Sequence, residues 1–355
     1  MAATEVLDCD GHLIESIPEL AEYMEPAIRK VATAPSRQRM GVFPSLDAIH
    51  YPNVPELEDA SPKELIRASD GRPGSGEDIS EFLKKTGIGT TVLYPSEGLS
   101  VGFIQATDYA VRLCRAYNDY VADRFRRVDP GLRPVALIPM GDPKAAATEL
   151  RRAVRELDLP GAMLPSTGLP LHLGHEFYWP VYEEAADLGC FLGVHGGSNW
   201  GLGISTFKSN AASHVLHHPV PLMYAIVSFI YDGLFDRLPD LRIAFLEGGC
   251  AWTVMLLDRM ARDEEYRLGG TTKRQLSDYL TSGQVLIGCE GDDKSLPYLA
   301  KRLGIEPFAY STDYPHEVDL PAAQQMIRNT WDHEELTQGE KEAVLAGNAK
   351  KFLRL

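Results

Sequence analysis

The chain opens on Asp8-Cys9-Asp10-Gly11-His12, directly after the apolar pair Val6-Leu7. Residues two apart on an extended chain point to the same side, so Asp8, Asp10 and His12 can face one point. Asp10 and His12 then offer an oxygen and a nitrogen to a single cation. Alone this is a weak signal, because Asp-x-His triplets arise by chance. Groups of the same chemistry recur, however, at the ends of later apolar segments. His195 follows Phe191-Leu192-Gly193-Val194, Glu247 follows Ile243-Ala244-Phe245-Leu246, and Asp313 and His316 follow Phe308-Ala309-Tyr310. Several imidazoles and carboxylates at one end of one fold describe a divalent-metal site. Ser213-His214-Val215-Leu216-His217-His218 adds two more groups. His214 and His218 are four apart, so on a helical turn they share a face and could chelate one ion. The candidate ligands are therefore Asp10, His12, His195, His214, His218, Glu247 and Asp313, with Glu247, Asp313 and His218 the candidates for chemistry. That is more than one ion needs and enough for two. The mixture of donors suits iron or manganese as well as zinc.

The elements that must position these groups alternate from about residue 87 onward. Strand-like runs fall at 90–94, 133–138, 161–164, 191–195, 242–247, 285–288 and 308–311, and helix-like segments lie between them. With a first strand at residues 5–9 the count is eight. The runs are apolar throughout rather than alternating, as in a parallel sheet covered by helices. Eight such units predict an α/β fold, a (β/α)8 TIM-type barrel whose chemistry sits at the C-terminal ends of its strands. An open doubly wound sheet is the alternative, but no Gly-x-Gly-x-x-Gly follows the first strand. Residues 16–86 break the rhythm and read as an insertion after the first strand, folded as a lid over the barrel mouth. The whole of 1–355 reads as a single domain. His50 and Arg72 in the insertion could reach a substrate, Tyr94, Trp200, Trp252 and Tyr314 could line a pocket, and Glu15 could act as a carboxylate behind the ligands.

Composition narrows the partners. A net charge of −15 argues against nucleic acid, and no apolar run is long enough to span a membrane. Cys9, Cys114, Cys190, Cys250 and Cys289 are odd in number and scattered, which suggests buried small hydrophobes in a reducing compartment. No secretory signal is visible, so a cytoplasmic enzyme acting on a small molecule is expected, with a homodimer as the default assembly.

Asp8-Cys9-Asp10-Gly11-His12 resembles the opening motif of the amidohydrolase-related, decarboxylase-like branch of the amidohydrolase superfamily. So do Val194-His195-Gly196-Gly197, Leu238-Pro239-Asp240-Leu241-Arg242-Ile243, Ser311-Thr312-Asp313-Tyr314-Pro315-His316 and Gly347-Asn348-Ala349. The resemblance spans nearly the whole chain outside 16–86. It implies a TIM barrel whose metal is held by Asp10, His12, His195 and Asp313. One departure matters: relatives that decarboxylate usually carry His at the end of the sixth strand, where this chain has Glu247. A carboxylate cannot replace an imidazole as a cationic donor at neutral pH, although it can bind a metal. Some members with Glu there are dinuclear oxygenases, and this sequence is similar to that subgroup. The favoured expectation is a dinuclear iron or manganese monooxygenase that hydroxylates a small organic substrate with O2. The alternative is a mononuclear zinc or manganese hydrolase, or a non-oxidative decarboxylase of a small carboxylic acid. A third expectation is a non-catalytic partner of a paralogous subunit.

Overall fold

Each short apolar run becomes a strand buried on both faces, and each helix lays one side over the ring so formed. The computed structural model describes residues 5–32, 42–44, 74–197, 201–204, 207, 210–266, 272–291, 293–316 and 318–354. The strands are β1 Val6–Leu13, β2 Ile88–Pro95, β3 Leu132–Pro134, β4 Gly161–Pro165, β5 Phe191–His195, β6 Arg242–Leu246, β7 Val285–Cys289 and β8 Phe308–Tyr310. They pair in parallel as β1-β2-β3 and β4-β5-β6-β7-β8. A single bridge, Ala136 to Ala162, joins the two groups on one side. On the other, Asp313 N–H donates to Asp10 O at 2.8 Å and His12 N–H to Tyr314 O at 2.6 Å, which closes the barrel.

The expected eight strands are all present, with altered ends. β1 runs on to Leu13, so Asp10 and His12 lie within the strand instead of after it. The register of β1 against β2 shifts between Asp8 and Gly11, which breaks the simple alternation. Gly11 is required there, because a Cβ would lie 2.4 Å from Thr91 Oγ1. Asp8 consequently serves the frame and not the candidate ligand set. Its carboxylate accepts from Thr91 Oγ1 at 2.9 Å, Thr312 N at 2.9 Å, Thr312 Oγ1 at 2.7 Å and Asp10 N at 3.2 Å. It thus ties β1 to β2 and to the loop after β8.

The helical stretch before β6 is two helices, Pro219–Tyr231 and Leu234–Arg237, parted at Gly233 with φ 75°. The stretch predicted as insertion also begins and ends in regular structure. Ile17–Tyr23 and Pro26–Ala32 are helical, and Gly76–Thr86 is a helix with Ser75 and Asp78 capping it reciprocally. That last helix belongs to the barrel's coat: its Phe82 stacks on Tyr314 with ring centroids 3.4 Å apart. Val42 and Phe43 are buried, and Val42 O accepts from Tyr109 Oη at 2.8 Å. Residues 33–41 and 45–73, with His50 and Arg72, lie outside the described residues, as does Trp200. All five cysteines are free and buried. No helix among the described residues is long and apolar enough to cross a membrane.

Candidate metal centre

Two histidines enter the barrel with their ring orientation fixed from behind. His12, from β1, places Nδ1 2.9 Å from Pro95 O, and His195, at the end of β5, places Nδ1 2.7 Å from Gly196 O. A carbonyl only accepts, so each Nδ1 carries the proton and each Nε2 presents a lone pair. These two Nε2 atoms face one another at 3.1 Å. Two lone pairs aimed together at that distance repel unless a cation or proton lies between them. Asp10 Oδ1 is 3.2 Å from His195 Nε2 and 3.7 Å from His12 Nε2, and Asp313 Oδ1 is 3.3 Å from His12 Nε2. Asp10 Oδ2 is buried without a hydrogen-bond partner among the described residues. Burial raises the Asp10 carboxyl and holds the His12 imidazole well below its ordinary range, so His12 stays neutral. Two nitrogens and two carboxylates around one point fit a divalent ion such as manganese, iron or zinc.

Asp313 and Glu247 leave their strands with φ 56° each. Left-handed backbone at a non-glycine residue costs about 1 kcal/mol and tends to persist where function requires it. Each of these carboxylates has the Nδ1 of a histidine outside the strands beside it. His316 Nδ1 lies 2.9 Å from Asp313 Oδ1, and His218 Nδ1 lies 3.1 Å from Glu247 Oε2. Glu247 Oε2 also lies 3.4 Å from His195 Nδ1 and so links the two halves of the site. Around His218 stand His214 and His217, with ring centroids 4.9 and 3.9 Å from it. His214 and His218 thus converge as their spacing predicted, at the end of the helix Asn210–His217 and the turn after it. His217 joins them in a second ligand-like group. It was missed because the four-residue rule selects only the outer pair.

The remaining candidates fall outside this core. Tyr94 is a fully buried filler of the barrel: a Cβ on Gly193 would lie 2.4 Å from its hydroxyl. Trp252 packs near Phe245 at 6.0 Å. His172 pairs with Asp232 at 2.6 Å on the surface.

Glu15 stands behind the site, taking the amides of Ser96, Glu97 and Gly98 at 3.1, 3.0 and 2.8 Å. Burial, then the charge of Glu97, nevertheless raises its carboxyl from 4.5 to about 7. The raised value in the folded state means that this group's stabilisation is complete below about 4.5 and is lost as pH rises through about 7. The difference amounts to about 3 kcal/mol. Urea melts of the wild type and Glu15→Gln are therefore expected to be similar at pH 5, where Gln mimics the protonated carboxyl, and to diverge by pH 8, where the ionised wild type is the less stable. An unchanged difference would show that Glu15 titrates as an ordinary carboxylate.

Comparison with known proteins now has a geometry to meet. The amidohydrolase family model matches residues 7–355. The chain is 26% identical over 250 residues to a 2-amino-3-carboxymuconate-6-semialdehyde decarboxylase of Dictyostelium discoideum, covering 69% of this chain and 67% of the relative. The crystal structure of 5-carboxyvanillate decarboxylase from Sphingomonas paucimobilis superposes with a TM-score of 0.74 at 21% identity, covering 99% of each chain. A dihydroxybenzoic acid decarboxylase from Polaromonas sp. JS666, solved with manganese and the inhibitor 2-nitroresorcinol, superposes at 0.68 with 19% identity over 99% of this chain and 97% of that one. These relatives correct the favoured expectation of an O2-dependent monooxygenase, since each is named a decarboxylase. With the barrel, its motifs and a match that runs almost from end to end, the chain belongs to the amidohydrolase family.

Proposed function

We propose that this protein is a metal-dependent enzyme that releases CO2 from a small carboxylic acid without oxidation. The substrate class is an aromatic or conjugated acid of the kind named for its relatives. The observation that carries this reading is the meeting of His12 Nε2 and His195 Nε2 at 3.1 Å between Asp10 and Asp313. Those four residues hold one divalent ion. When bound, the ion supplies the positive charge that a cluster of carboxylates lacks and that a substrate carboxylate or phenolate requires.

The chain's own groups manage the proton. In the reaction the bond between the ring or chain carbon and its carboxylate breaks, CO2 leaves, and the electron pair left on carbon takes up a proton. His218 supplies an imidazole beside the ligand cluster, with the Glu247 carboxylate 3.1 Å from its Nδ1. This pair does from the loop before Pro219 what a strand-borne histidine does in decarboxylating relatives. The departure at Glu247 is thereby accommodated. Asp313 serves as ligand, and its free oxygen is the second candidate to hand over the proton.

A second reading concerns the number of ions. His214, His217 and His218 form a further donor group, and Glu247 Oε2, 3.1 Å from His218 Nδ1 and 3.4 Å from His195 Nδ1, lies between it and the first. That observation favours a second iron or manganese ion in the same cavity. Elemental analysis after loading separates about one ion per chain from about two.

The decarboxylase reading is tested by headspace CO2 from manganese-loaded protein incubated with a panel of hydroxybenzoates and carboxymuconate-type acids. Release at equal rates with and without oxygen is expected, and Asp313→Asn is expected to lose about 10²-fold or more. No CO2 from any acid in the panel, with manganese bound, would overturn the reading.

A further inference from the structure

His316 belongs to no strand, yet it is held as firmly as the residues that do. Both of its ring nitrogens are engaged, Nδ1 at 2.9 Å from Asp313 Oδ1 and Nε2 at 2.8 Å from Ser96 Oγ. Its ring also lies over that of His12, with centroids 4.0 Å apart. A histidine committed at both nitrogens has no lone pair to give a cation. Although its Nδ1 falls within the ligand-like group of His12 and Asp313, it stands behind that group.

Its support reaches back to the end of β1. Ser96 Oγ donates to Leu13 O at 2.9 Å, and Ser96 N–H donates to Glu15 Oε2 at 3.1 Å. Glu15 fixes the same corner through the amides of Glu97 and Gly98. A continuous series of held groups therefore runs from Leu13 and Glu15 through Ser96 and His316 to Asp313. Asp313 needs such support: it follows a strand of three residues, has φ 56°, and its side chain retains 14% exposure. Left alone, its carboxylate can rotate toward solvent.

We propose that His316 is the positioning residue of Asp313, aiming its carboxylate at the metal point, and that Ser96 and Glu15 set His316 in turn. This inference rests on the metal-site reading and is independent of which reaction the site performs.

The test is Mn2+ affinity, measured from the electron paramagnetic resonance signal of free Mn2+ during titration, with a thermal melt of each variant. In His316→Asn the amide nitrogen falls near the place of Nδ1 and still reaches Asp313. In His316→Gln it falls near the place of Nε2 and does not. The Gln variant is expected to bind about 10- to 100-fold more weakly, and the Asn variant, which keeps the Asp313 contact and forgoes Ser96, only about 3- to 10-fold more weakly. Ser96→Ala leaves both residues intact and is expected to weaken binding by about 3- to 10-fold. It supplies the answer if the Gln variant melts early, with unchanged affinity counting against the proposal. Wild-type affinity in a well-folded Gln variant, or equal losses in Asn and Gln, would overturn it while leaving the metal site standing. A wild type that binds no Mn2+ would instead bring down the metal-site reading, and this inference with it.

Discussion

Replacing His12 with alanine is expected to lower turnover by at least about 10³-fold, or about 4 kcal/mol of barrier, and to strip the protein of its ion. His12 earns this weight by place. Its Nε2 is within 3.1 to 3.7 Å of His195, Asp313 and Asp10, so it touches every other member of the ligand set. Its Nδ1 is tied to Pro95 O, which leaves one orientation open. Without it, Asp10 and Asp313 are left with His195 as the one remaining imidazole of the set. Metal content after gel filtration and CO2 release from the same sample provide the check. A His12→Ala protein that keeps both manganese and rate would remove His12 from the centre.

Asp8→Ala is expected to cost about 3 kcal/mol of stability in urea melts, with little direct change in metal affinity among molecules that remain folded. The carboxylate receives four hydrogen bonds, from Thr91, Asp10 and twice from Thr312. Truncation strands the Thr312 amide in a dry interior and frees the loop after β8 from β1. Asp8→Asn should be milder, at about 1 kcal/mol, since the amide retains an acceptor and the threonine hydroxyls can turn to meet its protons. Burial raises the Asp8 carboxyl to about 6, so the neutral replacement mimics a state the native group already approaches. If Ala and Asn cost the same, the hydrogen bonds are not what the residue contributes.

Much of this was legible in the residues. Continuous apolar runs bounded by helices gave the parallel barrel, because burial on both faces leaves no polar alternation to read. The ligands were legible for a related reason: chemistry in such barrels collects where strands end, and Asp10, His12, His195, Glu247 and Asp313 all sit at or next to an end. Less could be read where contacts join distant segments. Asp8 has the spacing of a ligand, yet its carboxylate is spent on Thr312, 304 residues away. His217 escaped for the same reason, and His316, visible beside Asp313 in the sequence, gave no sign of its contact with Ser96. Neither lies at a strand end or at the spacing chosen for its neighbours, and only the closed barrel shows what each one faces. The oxygenase expectation failed on weighting. It rested on Glu247 together with the extra histidines His214 and His218, and the relatives named decarboxylases overturn it.

The seam between β8 and β1 has a consequence in time. During synthesis Asp10 and His12 emerge ahead of their companions Asp313 and His316, which follow some 300 residues later. At roughly 5 to 20 residues per second that is an interval of about 15 to 60 seconds. Throughout it β1 lacks one neighbour, and its two acidic groups have neither an imidazole across the seam nor the amides of 312 and 313. The nascent chain therefore cannot assemble this ligand set early. Loading of the proposed ion must wait until β8 and the turn after it have docked against β1.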